Sequence, residues 1–427
     1  MRLEPALAQR IADDDALWRD FEAICDCGGR LAGTESERRA VELVARLGRD
    51  AAGGVPARLT PVPYDGWTAS RAELRLAGGG QAACYPLVLS AATPDGGLTA
   101  EVVDLDRGAP EDFEARAQDL PDRIALVRHE LMFAADTIHR SRKYAMARDR
   151  GAVGFLIAGP LDDALVAGSA SRFGTDDMPA MGISPETAAR LGRTDGGWST
   201  ATLVIETEEA AAEARNVMFE LPGGSDEWVV LSAHVDGHEI SESAMDNASG
   251  MAAVLSATRC LSPHVHRFRR GLRVMFFTVE EWALTGSEHY VAGLSPDERD
   301  KIKLNVNLDS VAGSTDLTAL TSGFGELEPF LHEVAEANGL SLRCHLPPMM
   351  NSDHANFAAA GIPAFRLVAG FGDPQANLRH VLTPADTRDK VTPEELRQAT
   401  LLTAAIAAAA CDANPDVAGR WRMGRSG

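Results

Sequence analysis

Apolar runs of strand length alternate with longer segments of helical spacing through the second half of the chain. The predicted strands are 217–221, 229–233, 273–278, 304–308 and 364–367. The predicted helices between and after them are 250–261, 328–338 and 394–410. Regular alternation of this kind is typical of an α/β fold with a doubly wound, mixed sheet flanked by helices.

The first half of the chain has two different patterns. Helical spacing runs from Ala16 to Leu47, with a glycine break at 27–30 and a capped helix start at Thr34. Proline and glycine follow at 61–67, and short strands come next. A strand, a helix and a strand are then predicted at 124–127, 140–150 and 153–157. We therefore predict one discontinuous domain, residues 1–70 plus 206–427, and a smaller inserted α/β domain, residues 71–205.

Charge and composition narrow the range of functions. The chain of 427 residues has a formal net charge of -21, which argues against nucleic-acid partners because phosphates repel an acidic surface. No apolar stretch is long enough to cross a bilayer, and the acidic start lacks the pattern of a secretory leader. The six cysteines show no CxxC spacing. These features predict a cytoplasmic protein with no membrane or nucleic-acid partner.

Acidic and histidine side chains follow three of the predicted strands. His234 and Asp236 come after one strand, Glu280 and Glu281 after the next, and Asp309 after the third. Each could be structural by itself, as a hydrogen-bonded loop histidine, a helix start or a cap. Because strand ends gather ligands in α/β proteins, the three together favour a metal site.

Two imidazoles and three carboxylates form the candidate ligand set. It consists of His234, Asp246, Glu281, Asp309 and His380. Such a set suits two divalent ions, with zinc first and manganese or cobalt as substitutes. Asp246 would bridge the two ions, and Glu280, which is left without a ligand role, is the candidate general base.

An ordered set of motifs resembles peptidase family M28 with an added protease-associated (PA) domain. The matching segments are His234-Val-Asp236, Asp246-Asn-Ala-Ser-Gly250, Glu280-Glu281, Asn307-Leu-Asp309, Ser352-Asp-His354 and Thr383-Pro-Ala-Asp-Thr387. The resemblance implies one ion on His234, Asp246 and Asp309, and a second on Asp246, Glu281 and His380. It further implies that Asp236 orients His234 and that the Asp246–Asn247 peptide bond is cis. The implied function is a zinc aminopeptidase acting on short peptides.

One motif departs from the family pattern. The last histidine of the family usually stands directly before the threonine of the TPxDT segment, whereas Val381 and Leu382 separate His380 from Thr383 here. His354 and His345 are the alternative imidazoles. His238 and Glu239 are interpreted as loop residues, with substrate contact as the alternative.

Some features have two interpretations, and the substrate is open as well. Asp353 either caps the helix that follows it or lies near the substrate, whereas Thr392 begins a capping box without catalytic content.

The same metal site would serve a carboxypeptidase or an amidohydrolase on acylated amino acids, with Arg366 or Arg379 binding a carboxylate. A binding protein that has lost catalysis is a third hypothesis. Nucleotide-binding loops, HExxH and GxSxG are absent from the sequence.

Overall fold

The computed structural model describes residues 2–170, 177–192 and 198–423. Its α-helices are α1 Pro5–Ala12, α2 Ala16–Cys25, α3 Glu35–Ala51, α4 Pro110–Ala115, α5 Arg140–Arg148, α6 Pro185–Gly192, α7 Gly250–Leu261, α8 Thr285–Ala292, α9 Pro296–Lys301, α10 Glu328–Ala337, α11 His354–Ala359, α12 Pro393–Asp412 and α13 Pro415–Arg420. Its strands are β1 Arg58–Leu76, β2 Gly80–Ala82, β3 Cys84–Pro86, β4 Leu98–Asp104, β5 Ile124–Arg128, β6 Gly154–Ala158, β7 Ala180–Ile183, β8 Ser199–Leu221, β9 Trp228–His234, β10 Gly271–Phe277, β11 Ile302–Leu308, β12 Leu317–Leu320, β13 Arg343–His345 and β14 Ala364–Ala369.

The strands of the second half form a mixed sheet in the order β13-β12-β14-β11-β9-β10-β8. Strands β14, β11, β9 and β10 are parallel to one another. Strand β12 pairs antiparallel with β14 and parallel with β13, and β8 pairs antiparallel with β10. The parallel strands are almost entirely buried, as expected for strands covered by helices on the faces of the sheet. The predicted mixed, helix-flanked α/β fold is confirmed.

Strand β8 continues this sheet into the insert. Its last residues pair with β10, and its first residues pair with β4, which begins the order β4-β5-β6-β7-β3. Strand β1 runs antiparallel along β8 from Arg58, opposite Met218, to Leu76, opposite Ala201. The predicted domain boundaries at 70/71 and 205/206 therefore fall inside two long paired strands. A paired ribbon restricts how the insert can move relative to the main sheet.

Helix starts follow the predicted capping chemistry. The side chain of Thr34 accepts a hydrogen bond from the backbone of Glu37 at the start of α3, and Thr392 with Glu395 forms a full capping box at α12. Helix α7 is buried on nearly all sides, and it packs against α12 and β9. Among the residues described, no helix has the length and apolar character needed to cross a membrane.

Candidate metal centre and active-site cavity

Three predicted ligands meet at the carboxyl ends of β9 and β11. The Nε2 atom of His234 lies 3.0 Å from an Asp246 carboxylate oxygen and 3.6 Å from one of Asp309. One ligand atom from each of the three residues lies within 4.8 Å of the others. His234 ends β9 and Asp309 directly follows β11, so the parallel pairing of these strands brings the two side chains together.

The hydrogen bonding of His234 fits a cation between these groups. Its Nδ1 atom is 3.1 Å from the backbone carbonyl of Asp236, so this nitrogen carries the proton and donates. The lone pair of Nε2 then faces carboxylate oxygens, which are themselves acceptors. Buried lone pairs that face one another repel unless a proton or a metal ion lies between them. Because the neighbouring carboxylates outweigh the effect of burial, the pKa of His234 is raised well above its usual value.

Hydrogen bonds made by Asp246 and by its chain neighbours Met245 and Asn247 hold this segment in place. The carboxylate of Asp386 accepts hydrogen bonds from the backbone N–H groups of Met245, at 2.7 Å, and Asp246, at 3.3 Å. The Asp246–Asn247 peptide bond is cis, as the resemblance implied. The side chain of Asn247 donates to the carbonyl of Leu308 and ties this segment to the end of β11.

Close packing requires a glycine where α7 begins. A Cβ atom on Gly250 would lie 2.2 Å from the side-chain oxygen of Asn247 and 2.6 Å from the carbonyl oxygen of Leu308. Glycine alone lets the helix start so near to the end of β11. The Asp-Asn-Ala-Ser-Gly motif thus has a steric reason as well as a chemical one.

Asp309 carries a buried ion pair. A guanidinium nitrogen of Arg366 lies 3.0 Å from the Asp309 carboxylate, and the Ser310 hydroxyl donates to the same carboxylate at 3.0 Å. Burial would raise the pKa of Asp309, but Arg366 and His234 outweigh it, so the pKa is below the usual range. Arg366 also donates to the carbonyl of Asn351. Asp309 is therefore an anion that is ready to bind a metal.

Asp236 contacts both His234 and the Glu280–Glu281 turn. Its carboxylate accepts hydrogen bonds from the backbone N–H groups of Glu280, at 3.0 Å, and Glu281, at 3.1 Å. The same carboxylate is 3.8 Å from His234 Nδ1, beyond hydrogen-bond distance. Asp236 thus orients His234 through its backbone carbonyl, whereas its side chain fixes the Glu280–Glu281 turn.

Glu280 and Glu281 border the same cavity, but their pKa values move in opposite directions. Burial and repulsion from Glu281 raise the pKa of Glu280 well above its usual value, although His234 opposes the change. Burial would also raise the pKa of Glu281, but the imidazole of His238, 2.8 Å away, outweighs it and leaves the pKa lowered. Neighbouring acids whose pKa values diverge in this way are suited to different chemical roles.

His238 is buried and in contact with a predicted ligand, which the sequence did not reveal. It lies in the loop after β9, as predicted, but it is only 2% exposed and its Nε2 atom is 2.8 Å from a Glu281 carboxylate oxygen. The spacing His234-Val-Asp-Gly-His238 could have suggested this position, since both histidines follow the same strand. Glu239, its exposed neighbour, contributes no cavity-lining atom.

His380 is neither part of the gathered cluster nor among the residues that line the cavity. Burial, Arg379 and Lys390 lower the pKa of His380, and the charge of Asp389 opposes this change. The side chain that lines the cavity from this segment is Leu382, which stands directly before Thr383. A positive φ of 64° at Leu382 marks the local turn of the chain. The structure therefore does not bring the predicted second imidazole to the cluster.

The other two candidate histidines are not in the cluster either. His345 lies in β13 and packs against the ring of Phe371. His354 is fully buried in α11, where burial and Arg366 lower its pKa to about 3. Asp353 stands at the N-cap position of α11, yet its side chain makes no capping hydrogen bond. Burial raises its pKa to about 7, and its charge acts on Glu280, which favours the alternative that places it beside the site.

The site opens into a cavity of about 260 Å³ between the main sheet and the insert. Asp246, Glu280, Glu281 and Asp309 line one side. Residues of the insert line the other side, namely Met132, His139, Arg140, Ser141 and Ser169. No sequence pattern indicates that Arg140 lines the same cavity as the predicted metal ligands, because the sequence predicts it only as the first residue of a helix.

Comparison with known proteins agrees with this architecture. Residues 216–407 match the sequence model of Peptidase family M28, and residues 84–191 match that of the PA domain. Residues 216–407 thus form an M28 peptidase domain. The M28 part of the chain carries all the predicted metal ligands, and its PA domain carries Arg140.

Curated relatives of this chain are named as aminopeptidases. Aminopeptidase YwaD of Bacillus subtilis is 28% identical over 391 residues, covering 89% of this chain and 81% of the relative. The probable lipoprotein aminopeptidase LpqL of Mycobacterium tuberculosis is 29% identical over 243 residues, covering 55% of this chain and 46% of the relative. The chain thus spans about half the length of LpqL and most of YwaD.

Solved structures share the fold over almost the whole chain. The Peptidase M28 precursor from Shewanella amazonensis superposes with a TM-score of 0.78 at 24% identity, covering 96% of each chain. BSAP, a zinc aminopeptidase from Bacillus subtilis, superposes with a TM-score of 0.74 at 24% identity, covering 93% of this chain and 95% of its own. The M28 fold with its PA insert is therefore shared as a whole.

Proposed function

We propose that this chain is a zinc-dependent aminopeptidase that removes the first residue of short peptides. The observation that carries the proposal is the group of His234, Asp246 and Asp309, whose ligand atoms lie within 4.8 Å of one another beside the acids of the cavity. One imidazole and two carboxylates are donors that zinc accepts, with an open position for substrate. The names of the curated relatives support aminopeptidase activity.

The residues of the chain divide the work of hydrolysis. A bound ion would polarise the scissile carbonyl and make water easier to deprotonate. Glu280, on the wall of the same cavity, takes the proton from the attacking water and passes it to the leaving amine. The carboxylate of Asp236 accepts a hydrogen bond from the backbone N–H of Glu280 and so fixes the position of this base. The raised pKa of Glu280 suits a group that must both accept and return a proton.

The two ions that the sequence predicts would bind with unequal strength. The first has three ligands already gathered, His234, Asp246 and Asp309. The second would share Asp246 and use Glu281, which is in contact with His238, and it would bind without His380. We propose that one ion remains through dialysis and that a second binds only in excess zinc. Metal analysis after dialysis at several zinc concentrations checks this.

Aminoacyl anilides test the proposed activity. Leucyl-p-nitroanilide and its N-acetylated form would be compared, with and without a chelator. We expect cleavage of the unblocked compound only, abolished by the chelator and restored by zinc. Cleavage of the acetylated compound at an equal rate would contradict an aminopeptidase, and an unchanged rate in chelator would contradict the metal centre.

The carboxypeptidase alternative does not gain from the arginines first considered for it. Arg366 is in an ion pair with Asp309 and donates to the carbonyl of Asn351. Arg379 donates to Gln375 and lines a different cavity. Arg366 lines the active-site cavity but is already paired with Asp309, and Arg379 lines another cavity, so aminopeptidase activity remains the proposal.

A further inference from the structure

The PA domain places one buried cation at the active-site cavity. Arg140 begins α5 and is 7% exposed, and it lines the cavity together with Glu280 and Glu281. The insert is held against the M28 part nearby, because the backbone N–H of Ala167 donates to the carbonyl of Leu382 at 2.7 Å. The guanidinium therefore belongs to the wall of the cavity.

Only part of this guanidinium is satisfied. Its Nε atom donates to the carbonyl of Ser169 at 2.7 Å, whereas Nη1 is buried with no hydrogen-bond partner among the residues described. Gly168 leaves the room that the group occupies, since a Cβ atom there would lie 2.2 Å from Arg140 Cζ. The backbone thus fixes the guanidinium at Nε and leaves Nη1 without a bond.

The charge of Arg140 persists at neutral pH. Burial lowers its pKa to about 10, and the charge of Glu281 opposes that change. The second arginine of the cavity, Arg366, differs because its charge is offset by Asp309 at 3.0 Å. A buried cation with an unfilled donor is costly unless an anion binds it. A carboxylate is the anion whose geometry matches a guanidinium edge.

We propose that Arg140 binds a carboxylate on the second residue of the substrate, next to the scissile bond. This rests on the proposed aminopeptidase function and adds a substrate class to it. The first residue carries a free ammonium group, which a cation repels, so the carboxylate belongs on the leaving side. Two sources share this chemistry: the terminal carboxylate of a dipeptide and the side chain of an acidic second residue.

Three substrates separate these sources in the wild-type enzyme. They are leucyl-leucine, leucyl-leucinamide and leucyl-glutamamide with a free side-chain carboxylate and an amidated terminus. We expect kcat/KM to be about 10- to 100-fold higher for at least one carboxylate substrate than for leucyl-leucinamide, since a charged hydrogen bond is formed only with the former. Preference for leucyl-leucine alone would identify the terminal carboxylate. Equal values for all three would overturn the proposal.

Substitution of Arg140 tests whether that preference depends on this residue. In Arg140→Met we expect the ratio of carboxylate to neutral substrate to fall to about one, with cleavage of leucyl-leucinamide kept within about threefold. Arg140→Lys should retain part of the ratio, because it keeps a charge but loses the planar edge. Arg142→Met, an exposed neighbour on the same helix, is the matched control and should keep the full ratio.

The outcomes separate this inference from the proposed function. If wild-type enzyme fails to cleave leucyl-leucinamide and leucyl-p-nitroanilide, the aminopeptidase proposal fails. If it cleaves them, and Arg140→Met keeps the carboxylate preference, only the role of Arg140 fails. Equal loss of all substrates in Arg140→Met, with Arg140→Lys also inactive, would assign the residue a structural role and so contradict the proposal.

Discussion

The two walls of the active-site cavity differ in how the chain builds them. The M28 wall places His234 and Asp309 at the ends of adjacent parallel strands, each fixed by buried backbone pairing. The PA wall places Arg140 at the first position of a short helix, with one backbone hydrogen bond to its guanidinium. The first wall provides the groups for chemistry, and the second provides a group suited to selecting the substrate.

This difference indicates which wall should tolerate change. A ligand at the end of a central strand cannot move without disturbing the sheet, whereas a residue on an inserted domain can be exchanged while the sheet stays intact. Substitutions on the M28 wall should therefore affect every substrate alike. Substitutions on the PA wall should alter the ratios between substrates.

The largest effect should come from removing a ligand of the gathered cluster. His234→Ala leaves only Asp246 and Asp309, so we expect the dialysed protein to retain almost no zinc and to lose activity. His380→Ala should keep the zinc and most of the activity, since His380 is not part of the cluster and does not line the cavity. Elemental analysis of both variants beside the wild type measures this. Equal zinc loss in the two variants would restore His380 as a ligand.

Glu280→Gln should have the next largest effect. It removes the base but keeps the shape, so kcat should fall about 10²- to 10⁴-fold while zinc content is unchanged. Glu239 is exposed and follows His238 in the chain, so Glu239→Gln is the control and should leave kcat unchanged. The fall should be similar for neutral and carboxylate substrates. If kcat fell only for carboxylate substrates, Glu280 would act in substrate selection, and the proposed difference between the M28 wall and the PA wall would be wrong.

Much of the M28 wall could be predicted from the sequence. Apolar runs fixed the strands, and polar residues directly after them had to meet at one edge of a parallel sheet, which is how His234 and Asp309 come together. The capped starts of α3 and α12 followed from local side-chain chemistry alone. These features depend on short stretches of chain and on one rule of sheet geometry.

Contacts that depend on tertiary folding could not be predicted in the same way. Arg140 lines the cavity because the paired strands β1 and β8 connect the insert to the main sheet. No local sequence pattern predicts this tertiary arrangement. The position of His380 depends on the turn of the chain at Leu382, where φ is 64°, so a motif match could not place its ring. Similarly, His234 Nδ1 lies 3.1 Å from the backbone carbonyl of Asp236 and 3.8 Å from its carboxylate. The sequence cannot predict so small a difference in distance.

The smallest of the three expected effects concerns stability and compares the two arginines of the cavity. Arg366→Met leaves Asp309 buried without its ion-pair partner, so the metal-free protein should lose about 3 kcal/mol of unfolding free energy. Arg140→Met removes a cation that is not paired with any described carboxylate, so it should cost less than Arg366→Met or even stabilise the metal-free protein. Urea denaturation of both variants in chelator measures the difference. Adding Asp309→Asn to Arg366→Met should recover part of the loss, because the unpaired charge is removed. Equal destabilisation by the two single substitutions would mean that Arg140 is as firmly paired as Arg366, and that its free edge is not available to a substrate.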